Sequence, residues 1–411
     1  MPVHEGLSTE VRTLQVSVDC PWPPVSGGDI RNAFIARSVA SLGPVHTFCL
    51  GAVNQHAALD VGTVEQLPGF QGKNPWHQRN KEVPTSIIIG QSDLDFLMAE
   101  IARFRPHVAI LEGVYVEGAL PAFRQAGLPA IIDMHNIESD LFRAIRRQLP
   151  WRRRIKDMFL GGRQWRQLIE LDRMTSLAAN ETWVVSSLDQ QRLGQIGGSA
   201  AMLVANPVPD ERMFELPIEE ARYTAPNVLF IGHLGYAPNV NAIGELAAKI
   251  WPLIKSGLPE AKLTLMGRSP ARNVSSLEGR ADISVFADPV DLIPPALRHG
   301  YSLMPIRSGG GTRLKALEAM AAGLVVIATA KAVEGLGLLA DEHYLRAETP
   351  HEFARHLFTA CQRPRETALL AARARAYVQH NFGSETLGSL IRARVQTLAG
   401  RRHGTQDQNE S

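Results

Sequence analysis

The sequence has 411 residues, of which 45% are hydrophobic and 20% are charged, and its formal net charge at pH 7 is +2. A chain of this length is too long for one ordinary hydrophobic core, so we expect two domains. The small net charge does not indicate a nucleic-acid-binding protein. Three scattered cysteines without a CxxC spacing argue against a disulfide framework and a structural zinc site.

The sequence contains no apolar run near the roughly 18 residues that a membrane-spanning helix needs. The N-terminal stretch MPVHEGLSTEVR lacks the apolar core of a signal peptide. The polar C-terminal stretch RRHGTQDQNES predicts a disordered tail over residues 400–411. We therefore predict a cytoplasmic protein, with association to the inner face of a membrane as an open alternative.

In the first half of the chain, short apolar runs alternate with helical patterns. This alternation predicts a buried parallel sheet with right-handed crossover connections. The predicted strands are RTLQVSVD, VHTFCLG, HVAILE, PAIIDMHN and ETWVVSS, and the predicted helices are DIRNAFIARSVASLG, SDLDFLMAEIARFRP and EGALPAFRQAG.

The alternation pauses at MLVANPVPDERMF and then restarts, which indicates a second α/β domain. We predict domains over 1–205 and 206–383, followed by a last helix over 384–399. The second series contains the strands NVLFIG, AKLTLMG, ISVFA, YSLMPI and LVVIATA, and the helices NVNAIGELAAKIWPLIKSG and DLIPPALRHG.

Three consecutive glycines, Gly309, Gly310 and Gly311, stand between the strand YSLMPI and a helical pattern. Open α/β sheets bind ligands at the carboxyl ends of their strands. Because glycine has no Cβ, its backbone N–H groups can approach an anion closely. The following helix adds unpaired N–H groups and the positive end of its dipole. The segment therefore predicts an anion-binding site.

Charged side chains flank this glycine segment. We predict that Thr312 caps the helix and that Arg307, Arg313 and Lys315 add positive charge suited to a diphosphate. Glu318 lies three residues after Lys315 on the same helix face, where a carboxylate can accept hydrogen bonds from ribose hydroxyls. The ligand implied is a nucleotide sugar. The alternative is a glycine turn followed by a Lys–Glu surface pair.

Two long stretches match one enzyme family in order and spacing. They are ADPVDLIPPALRHGYSLMPIRSGGGTRLKALEAMAAGLVVIATAKAVEGL and VLFIGHLGYAPNVNAI. In the first half, PPVSGGDIRNAF is similar to an N-terminal glycine loop, IIDMHNIESD to a histidine-bearing loop, and VANPVPD to an interdomain segment. The sequence thus resembles the family-four retaining glycosyltransferases of the GT-B fold, in the branch with a glycine-rich donor loop.

The resemblance implies two doubly wound Rossmann-like domains facing a cleft, with acceptor binding in the first and nucleotide-sugar binding in the second. The closing helix would pack back on the first domain. It also implies retaining transfer of a sugar to a hydroxyl of a glycan, lipid-linked or small-molecule acceptor. Helix dipoles and cationic side chains would neutralise the leaving diphosphate, so neither a metal nor another cofactor is expected.

The resemblance also implies roles for individual residues. Gly27 and Gly28 would line the cleft near the donor phosphates, and His135 would contact the transferred sugar. A lone histidine is otherwise more often structural.

In the second half, Gly232 would lie in the donor-binding loop. Gly309 to Thr312 would hold the pyrophosphate, assisted by Arg313 or Lys315. Glu318 would bind ribose, and Glu334 would follow another strand near the donor, where a plain turn is the alternative.

Two positions depart from the family pattern. The family often has a glutamate eight residues before the ribose-binding glutamate, and Gly310 occupies that position here. The loop that opens the donor domain usually carries an arginine and a lysine, whereas GHLGYAPN supplies only His233. Arg307, Arg313 and Lys315 are the expected replacements.

Other motifs leave alternatives open. SDLDF contains a DxD motif that could bind a metal–diphosphate, but Asp93 also suits a helix cap. The basic segment 143–173 could contact anionic lipid or form solvated helices. Two other functions remain open: an epimerase or hydrolase of the same fold, which would use Glu112, Asp133 and Glu138, and a non-catalytic partner subunit that binds nucleotide or glycan.

Overall fold

The computed structural model describes residues 10–24, 26–53, 60–75, 87–147, 158–309 and 313–406. The chain divides into two compact units. The first consists of Met1–Asn206 together with Glu385–Ser411, and the second is Pro207–Ser384. The described residues of each unit are built around a parallel sheet.

The first unit contains a seven-stranded sheet in the order β3-β2-β1-β4-β5-β6-β7. The strands are β1 (Thr13–Ser17), β2 (Val45–Cys49), β3 (Thr63–Gln66), β4 (Val108–Glu112), β5 (Ala130–Met134), β6 (Glu181–Val184) and β7 (Ala201–Leu203). The helices are α1 (Gly27–Ala40), α2 (Gln91–Phe104), α3 (Leu120–Gln125), α4 (Glu138–Arg147), α5 (Met158–Ala178) and α6 (Ser187–Gln195).

The central strands of this sheet are buried along their whole length. β1, β2, β4 and β5 expose none of their residues, as expected for parallel strands that helices cover on both faces. Thr13 of β1 lies opposite Val45 on one side and Val108 on the other. The strand order reverses between β1 and β4, so the crevice where such sheets bind ligands lies at the carboxyl ends of these two strands.

The second unit contains a six-stranded parallel sheet in the order β10-β9-β8-β11-β12-β13, which reverses between β8 and β11. The strands are β8 (Asn227–Ile231), β9 (Lys262–Gly267), β10 (Ile283–Ala287), β11 (Tyr301–Met304), β12 (Val325–Ala328) and β13 (Leu345–Arg346). The helices are α7 (Ala237–Glu245), α8 (Trp251–Gly257), α9 (Arg272–Ser275), α10 (Ile293–Leu297), α11 (Leu314–Ala321), α12 (Pro350–Gln362) and α13 (Pro364–Phe382).

The helix predicted over residues 239–257 is interrupted by a π-helical turn. This turn, Leu246–Ile250, separates α7 from α8. Pro252 lies at the start of α8 and has no N–H to offer the carbonyl of Ala248, four residues earlier. The wider turn is a known response to such a missing bond within a helix.

The short edge strands β3, β7 and β13 were not evident from the sequence. β3 has the sequence TVEQ, and its side chains are exposed or half-buried, so it lacks the apolar run that marks a central strand. β13 has only two residues.

The last helix, α14 (Ser384–Gln406), continues beyond the predicted end at residue 399. The prediction of a disordered tail is therefore wrong for residues 400–406, because Gly400 lowers helix propensity without ending the helix; residues 407–411 lie outside the described residues. Arg394 of α14 donates from Nε to Glu181 Oε1 of β6 at 3.0 Å, within the first unit.

Candidate functional site

In the second unit, two helices begin at the point where the strand order reverses. Gly232 follows β8 and leads into α7, while the loop after β11 leads into α11. Lys315 Nζ, in the first turn of α11, donates to Asn239 Oδ1, in the first turn of α7, at 2.6 Å. This hydrogen bond shows that the two helix N-termini converge, which places two positive dipole ends at one spot.

Gly232 makes room for this convergence. Its N–H donates to Met266 O at 3.0 Å, and a Cβ on Gly267 would lie 1.6 Å from Gly232 O. A Cβ on Gly232 itself would lie 3.3 Å from Cε of Lys315. The two glycines therefore allow the ends of β8 and β9 to pack closely while Lys315 lies across them.

The structure brings together three of the predicted residues beside this point. Arg313 is 8% exposed and donates from Nη2 to Gly309 O at 3.1 Å and to Glu334 Oε2 at 3.1 Å. Lys331 also pairs with Glu334. Gly309 has a φ of +119°, a region that favours glycine. Arg313 thus links the glycine loop to the loop after β12.

Burial shifts the pKa values of the two α11 side chains in opposite directions. Burial, with the nearby charge of Arg313, lowers the pKa of Lys315 to about 8. Burial raises the pKa of Glu318 to about 7, partly offset by Lys315 and Arg268. Lys315 donates its hydrogen bond to the neutral amide of Asn239. This acceptor does not neutralise the positive charge of Lys315, which is available to a bound anion.

One expectation for the glycine segment needs revision. α11 begins at Leu314 with Arg313 at the N-cap position and no side-chain cap, so the prediction that Thr312 caps the helix is wrong. The cause is that the helix begins one residue later than predicted. Gly310, Gly311 and Thr312 themselves lie outside the described residues.

Arg307 is engaged away from the glycine segment. Its Nε and Nη2 donate to Glu245 at 2.9 and 2.8 Å, and Nη2 also donates to Glu348 O at 2.8 Å. The charge of Arg307 is thus balanced by an acidic residue of α7. The structure favours Arg313 and Lys315, and not Arg307, as the cations of the glycine segment.

In the first unit, Gly27 and Gly28 belong to a helix and not to a loop. They are the first two residues of α1, which Ser26 caps. Ser26 Oγ accepts from the N–H of Asp29 at 3.1 Å, and Asp29 Oδ2 accepts from the N–H of Ser26 at 2.8 Å. This reciprocal capping box starts the helix earlier than the sequence analysis expected.

His135 lies in a cluster of charged side chains at the ends of β4 and β5. Its Nε2 is 3.2 Å from Glu112 Oε2 and 3.2 Å from Asp133 Oδ2. Arg31 of α1 holds both oxygens of Asp133, from Nε and Nη2, at 2.6 Å each. Gln15 of β1 donates to Glu112 Oε1 at 2.6 Å. The cluster therefore occupies the β1–β4 reversal point of the first sheet.

The charges of this cluster depend on one another. Burial alone lowers the pKa of His135, but hydrogen bonds to Asp133 and Glu112 outweigh it and raise the pKa to about 9. Burial disfavours the charged form of Asp133, yet Arg31 and His135 hold its pKa well below the usual range. Burial raises the pKa of Glu112.

Glu112, Asp133 and His135 each offer a ligand atom within 4.8 Å of the others, the spacing of a metal site. Arg31, however, already binds both oxygens of Asp133, and its positive charge opposes a cation at this position.

The DxD motif has a structural role in α2. Asp93 Oδ1 accepts from the N–H of Gly69 at 2.7 Å, and Asp93 Oδ2 accepts from the N–H of Gly90 at 3.3 Å. Gly90 is the N-cap, so Asp93 is not the cap that the sequence indicated. Asp93 acts instead in the first turn, and these amide bonds compete with a metal.

The basic segment 143–173 contributes to α4 and α5, and residues 148–157 lie outside the described residues. The guanidinium of Arg143 in α4 lies over the ring of Trp165 in α5, 5.3 Å from the ring centre. This cation–π contact indicates that some basic side chains of the segment take part in packing between the two helices. In the described part of the chain, no helix is both long enough and apolar enough to cross a membrane.

Two residues that the structure places in these sites, Arg31 and Asn239, were not evident from the sequence. Asn239 lies in the first turn of α7 and Arg31 in the second turn of α1, and each helix follows a strand at a reversal point. Their position after these strands could have identified them as site residues, but only once the strand order was known.

Comparison with known proteins agrees with this description. Residues 225–362, which contain the site of the second unit, match the family described as "Glycosyl transferases group 1". An "Uncharacterized 44.6 kDa protein in cps region" of Klebsiella pneumoniae is 27% identical over 174 residues, covering 40% of this chain and 45% of that protein. The chain thus matches less than half the length of this curated relative.

Solved structures share the fold along nearly the whole chain. Anabaena Alr3699/HepE in complex with UDP has a TM-score of 0.66 at 14% identity, covering 94% of this chain and 100% of that one. The same protein in complex with UDP-glucose has a TM-score of 0.61 at 13% identity, covering 94% and 99%. A glycosyltransferase from Rickettsia africae has a TM-score of 0.65 at 12% identity, covering 95% and 99%. The GT-B fold class predicted from the sequence is confirmed.

Proposed function

We propose that the protein is a retaining, metal-independent glycosyltransferase of family four, in the branch with a glycine-rich donor loop. It transfers a sugar from a nucleotide-sugar donor to a hydroxyl of a glycan, lipid-linked or small-molecule acceptor. The observation that carries the proposal is the Lys315–Asn239 hydrogen bond, which joins two helix N-termini at the reversal point of the second sheet. Such a point favours a phosphate group.

The donor diphosphate would bind at this convergence. Lys315 and Arg313 supply positive charge where negative charge develops on the leaving diphosphate, which is the main catalytic contribution expected of such a site. Gly232, Gly309, Gly310, Gly311 and Thr312 would bring backbone groups close to the phosphates, with Glu334 holding Arg313 in place. Glu318 would accept hydrogen bonds from the ribose hydroxyls.

In the first unit, His135 would contact the transferred sugar, beside Gly27 and Gly28. The reaction would proceed by front-face departure and attack, with the leaving phosphate acting as the base, so that the protein supplies orientation and electrostatic stabilisation. A hydrolase or epimerase that uses Asp133 as an acid or base has less support, because Arg31 occupies both of its carboxylate oxygens.

Incubation with a panel of nucleotide sugars tests the proposed function. With a mixture of glycan and lipid-linked acceptors and a chelator present, we expect an acceptor-dependent glycoside that retains the anomeric configuration. Free sugar or an epimer without acceptor would contradict transfer, and nucleotide binding without turnover would indicate a non-catalytic subunit. Loss of product with the chelator would overturn the metal-independent mechanism.

The biological setting is part of the proposal. We place the enzyme in the cytoplasm in polysaccharide biosynthesis, in part because the Klebsiella pneumoniae relative is described as a protein in the cps region. Peripheral membrane contact through the basic segment 143–173 is a further proposal. A vesicle sedimentation assay with anionic and neutral lipids would test it.

Replacing Glu318 by alanine is expected to weaken nucleoside diphosphate affinity by about 1–3 kcal/mol, because ribose hydroxyls lose a half-buried acceptor. Isothermal calorimetry should also show that the variant no longer distinguishes a nucleoside diphosphate from its 2′,3′-dideoxy analogue. Glu260→Ala, at an exposed position of the same unit, is the control and should bind like the wild type. Unchanged affinity of Glu318→Ala would refute the ribose role.

Replacing Gly28 by alanine is expected to stabilise the protein slightly and yet lower transferase activity. The new methyl group would lie 3.6 Å from His135 Nδ1, an ordinary contact that needs no rearrangement but covers this edge of the ring. Alanine favours a helix over glycine by up to about 1 kcal/mol. Gly194→Ala in α6, where a Cβ would have open space, is the control. Full activity of Gly28→Ala would show that this edge of His135 does not face the substrate.

A further inference from the structure

The two nitrogens of the His135 ring have different surroundings. Nε2 is 3.2 Å from one oxygen of Glu112 and from one oxygen of Asp133. The Nδ1 edge faces the Cα of Gly28, where the absence of a side chain leaves it approachable. The ring is 21% exposed, whereas both carboxylates are fully buried. Nε2 of His135 is therefore held by the two carboxylates, while Nδ1 is the nitrogen that a substrate could approach.

We propose that Glu112, Asp133 and Arg31 are positioning residues that keep His135 as an imidazolium, so that Nδ1–H donates a hydrogen bond to an electron-rich substrate oxygen. That this oxygen belongs to the sugar or phosphate of the donor rests on the function proposed above. The protonation state itself does not depend on that function.

The geometry favours the cation. Two carboxylate oxygens at the same distance from Nε2 stabilise a positive ring far more in a buried site than they would in water. Arg31, which is 1% exposed, keeps Asp133 ionised by binding both of its oxygens. Arg31 is itself held by Asn206 Oδ1, which accepts from Nη1 at 2.7 Å.

The amide groups around Glu112 act on the same state. In the orientation that satisfies its amide, Asn32 Nδ2 lies 3.0 Å from Glu112 Oε2, from Gly28 O and from His135 Nε2. Its donation to Glu112 Oε2 favours a charged carboxylate, whereas its approach to Nε2 disfavours a proton on that nitrogen, an effect that the two carboxylates must outweigh. Gln15 donates to the other oxygen of Glu112. These donors stabilise a negative charge on Glu112, and the carboxylates in turn raise the pKa of His135 to about 9.

An imidazolium has no free lone pair on either nitrogen. At neutral pH, therefore, His135 can donate a hydrogen bond from Nδ1 but cannot act as a nucleophile or as a general base. This assigns the histidine an electrostatic role, in which its charge and its donor are already in place before the substrate binds.

Nuclear magnetic resonance of the intact, ¹⁵N-histidine-labelled protein tests the assignment directly. The chain has 13 histidines, so the His135 signals are identified by their loss in His135→Asn. We expect both ring nitrogens to be protonated at pH 7.5 and to titrate with a midpoint near pH 9. A midpoint at or below the ordinary histidine value of about 6.5, or a single protonated nitrogen at pH 7.5, would overturn the proposal.

The positioning role is tested by Glu112→Gln, which preserves the shape of the side chain. The midpoint of His135 should fall by about one pH unit or more, because one of two carboxylates is lost. Glu117→Gln, a half-buried position in the turn after β4, is the matched control and should leave the midpoint unchanged. If Glu112→Gln also leaves the titration midpoint of His135 unchanged, Glu112 does not position or charge the histidine. Because the protonation state of His135 is read from the wild-type protein, a folding defect in Glu112→Gln cannot hide it.

Kinetics separate this inference from the proposed function. Once a donor and acceptor are known, kcat should fall as the pH rises through about 9, and Glu112→Gln should move that fall to lower pH. The KM of the donor should change less than kcat. An unchanged profile in Glu112→Gln would contradict the positioning role even in an active transferase. Conversely, if the protein has no transferase activity, nuclear magnetic resonance should still show that His135 is an imidazolium.

Discussion

Replacing Arg31 by methionine is expected to lower the free energy of unfolding by about 3–5 kcal/mol. The guanidinium is 1% exposed and binds both oxygens of Asp133, which is fully buried. Without Arg31, a buried carboxylate would lose its main counter-charge and two of its hydrogen bonds. Urea unfolding followed by circular dichroism measures the change, with the midpoints compared because a chain of two units need not unfold in one step.

A matched control and a rescue make this prediction specific. Arg37→Met removes an arginine from the same helix, but its partner Asp60 is half exposed, so the cost should stay below about 1 kcal/mol. Adding Asp133→Asn to Arg31→Met removes the stranded charge and should restore part of the lost stability. If Arg31→Met is no worse than Arg37→Met, the buried pair is not an energetic feature of the first unit.

Replacing Lys315 by methionine is expected to reduce turnover by about 10²–10³-fold. Lys315 is the cation that spans the two helix N-termini, and its loss would leave the leaving diphosphate without one of the two charges, Lys315 and Arg313, proposed to neutralise it. Donor affinity should fall as well. The control is Lys249→Met, at an exposed position of the same unit, which should turn over like the wild type. Steady-state kinetics with the donor found in the panel measures both variants.

Proton uptake on diphosphate binding provides a second test of the role of Lys315. Because burial lowers the pKa of Lys315 to about 8, about half of these lysines are neutral at pH 8. A bound diphosphate raises that pKa, so binding at pH 8 should take up about half a proton from the buffer. Calorimetry in buffers of different ionisation enthalpy detects this uptake, and Lys315→Met should abolish it. Uptake that persists in Lys315→Met would assign the proton to another group.

The sequence was sufficient to predict the central strands and the strand-to-helix junction at which we propose that the donor binds. Central parallel strands are covered on both faces, so β4 and β8 contain the continuous apolar runs VAIL and VLFI. The edge strand TVEQ has no such run and was missed. The glycines around Gly309 indicated a close backbone approach, and the structure places Gly309 next to Arg313.

What the sequence could not provide was the partner of each charge. Asp133 lies 102 positions from Arg31, and Asn239 lies 76 positions from Lys315, so only the strand order brings them together. The same folding pairs Arg307 with Glu245, 62 positions away, and so directs one of the three expected phosphate cations toward α7. The strand order, and not the residue types alone, decides which charged side chains lie together.

A crystal structure with a bound nucleoside diphosphate is the most direct test of the donor site. UDP and GDP would each be soaked into crystals of the wild-type protein. We expect the diphosphate to lie within about 3.5 Å of Lys315 Nζ at the N-termini of α7 and α11, with the ribose hydroxyls bonded to Glu318. A nucleotide bound at another place, or crystals that bind neither nucleotide, would contradict the proposed glycosyltransferase.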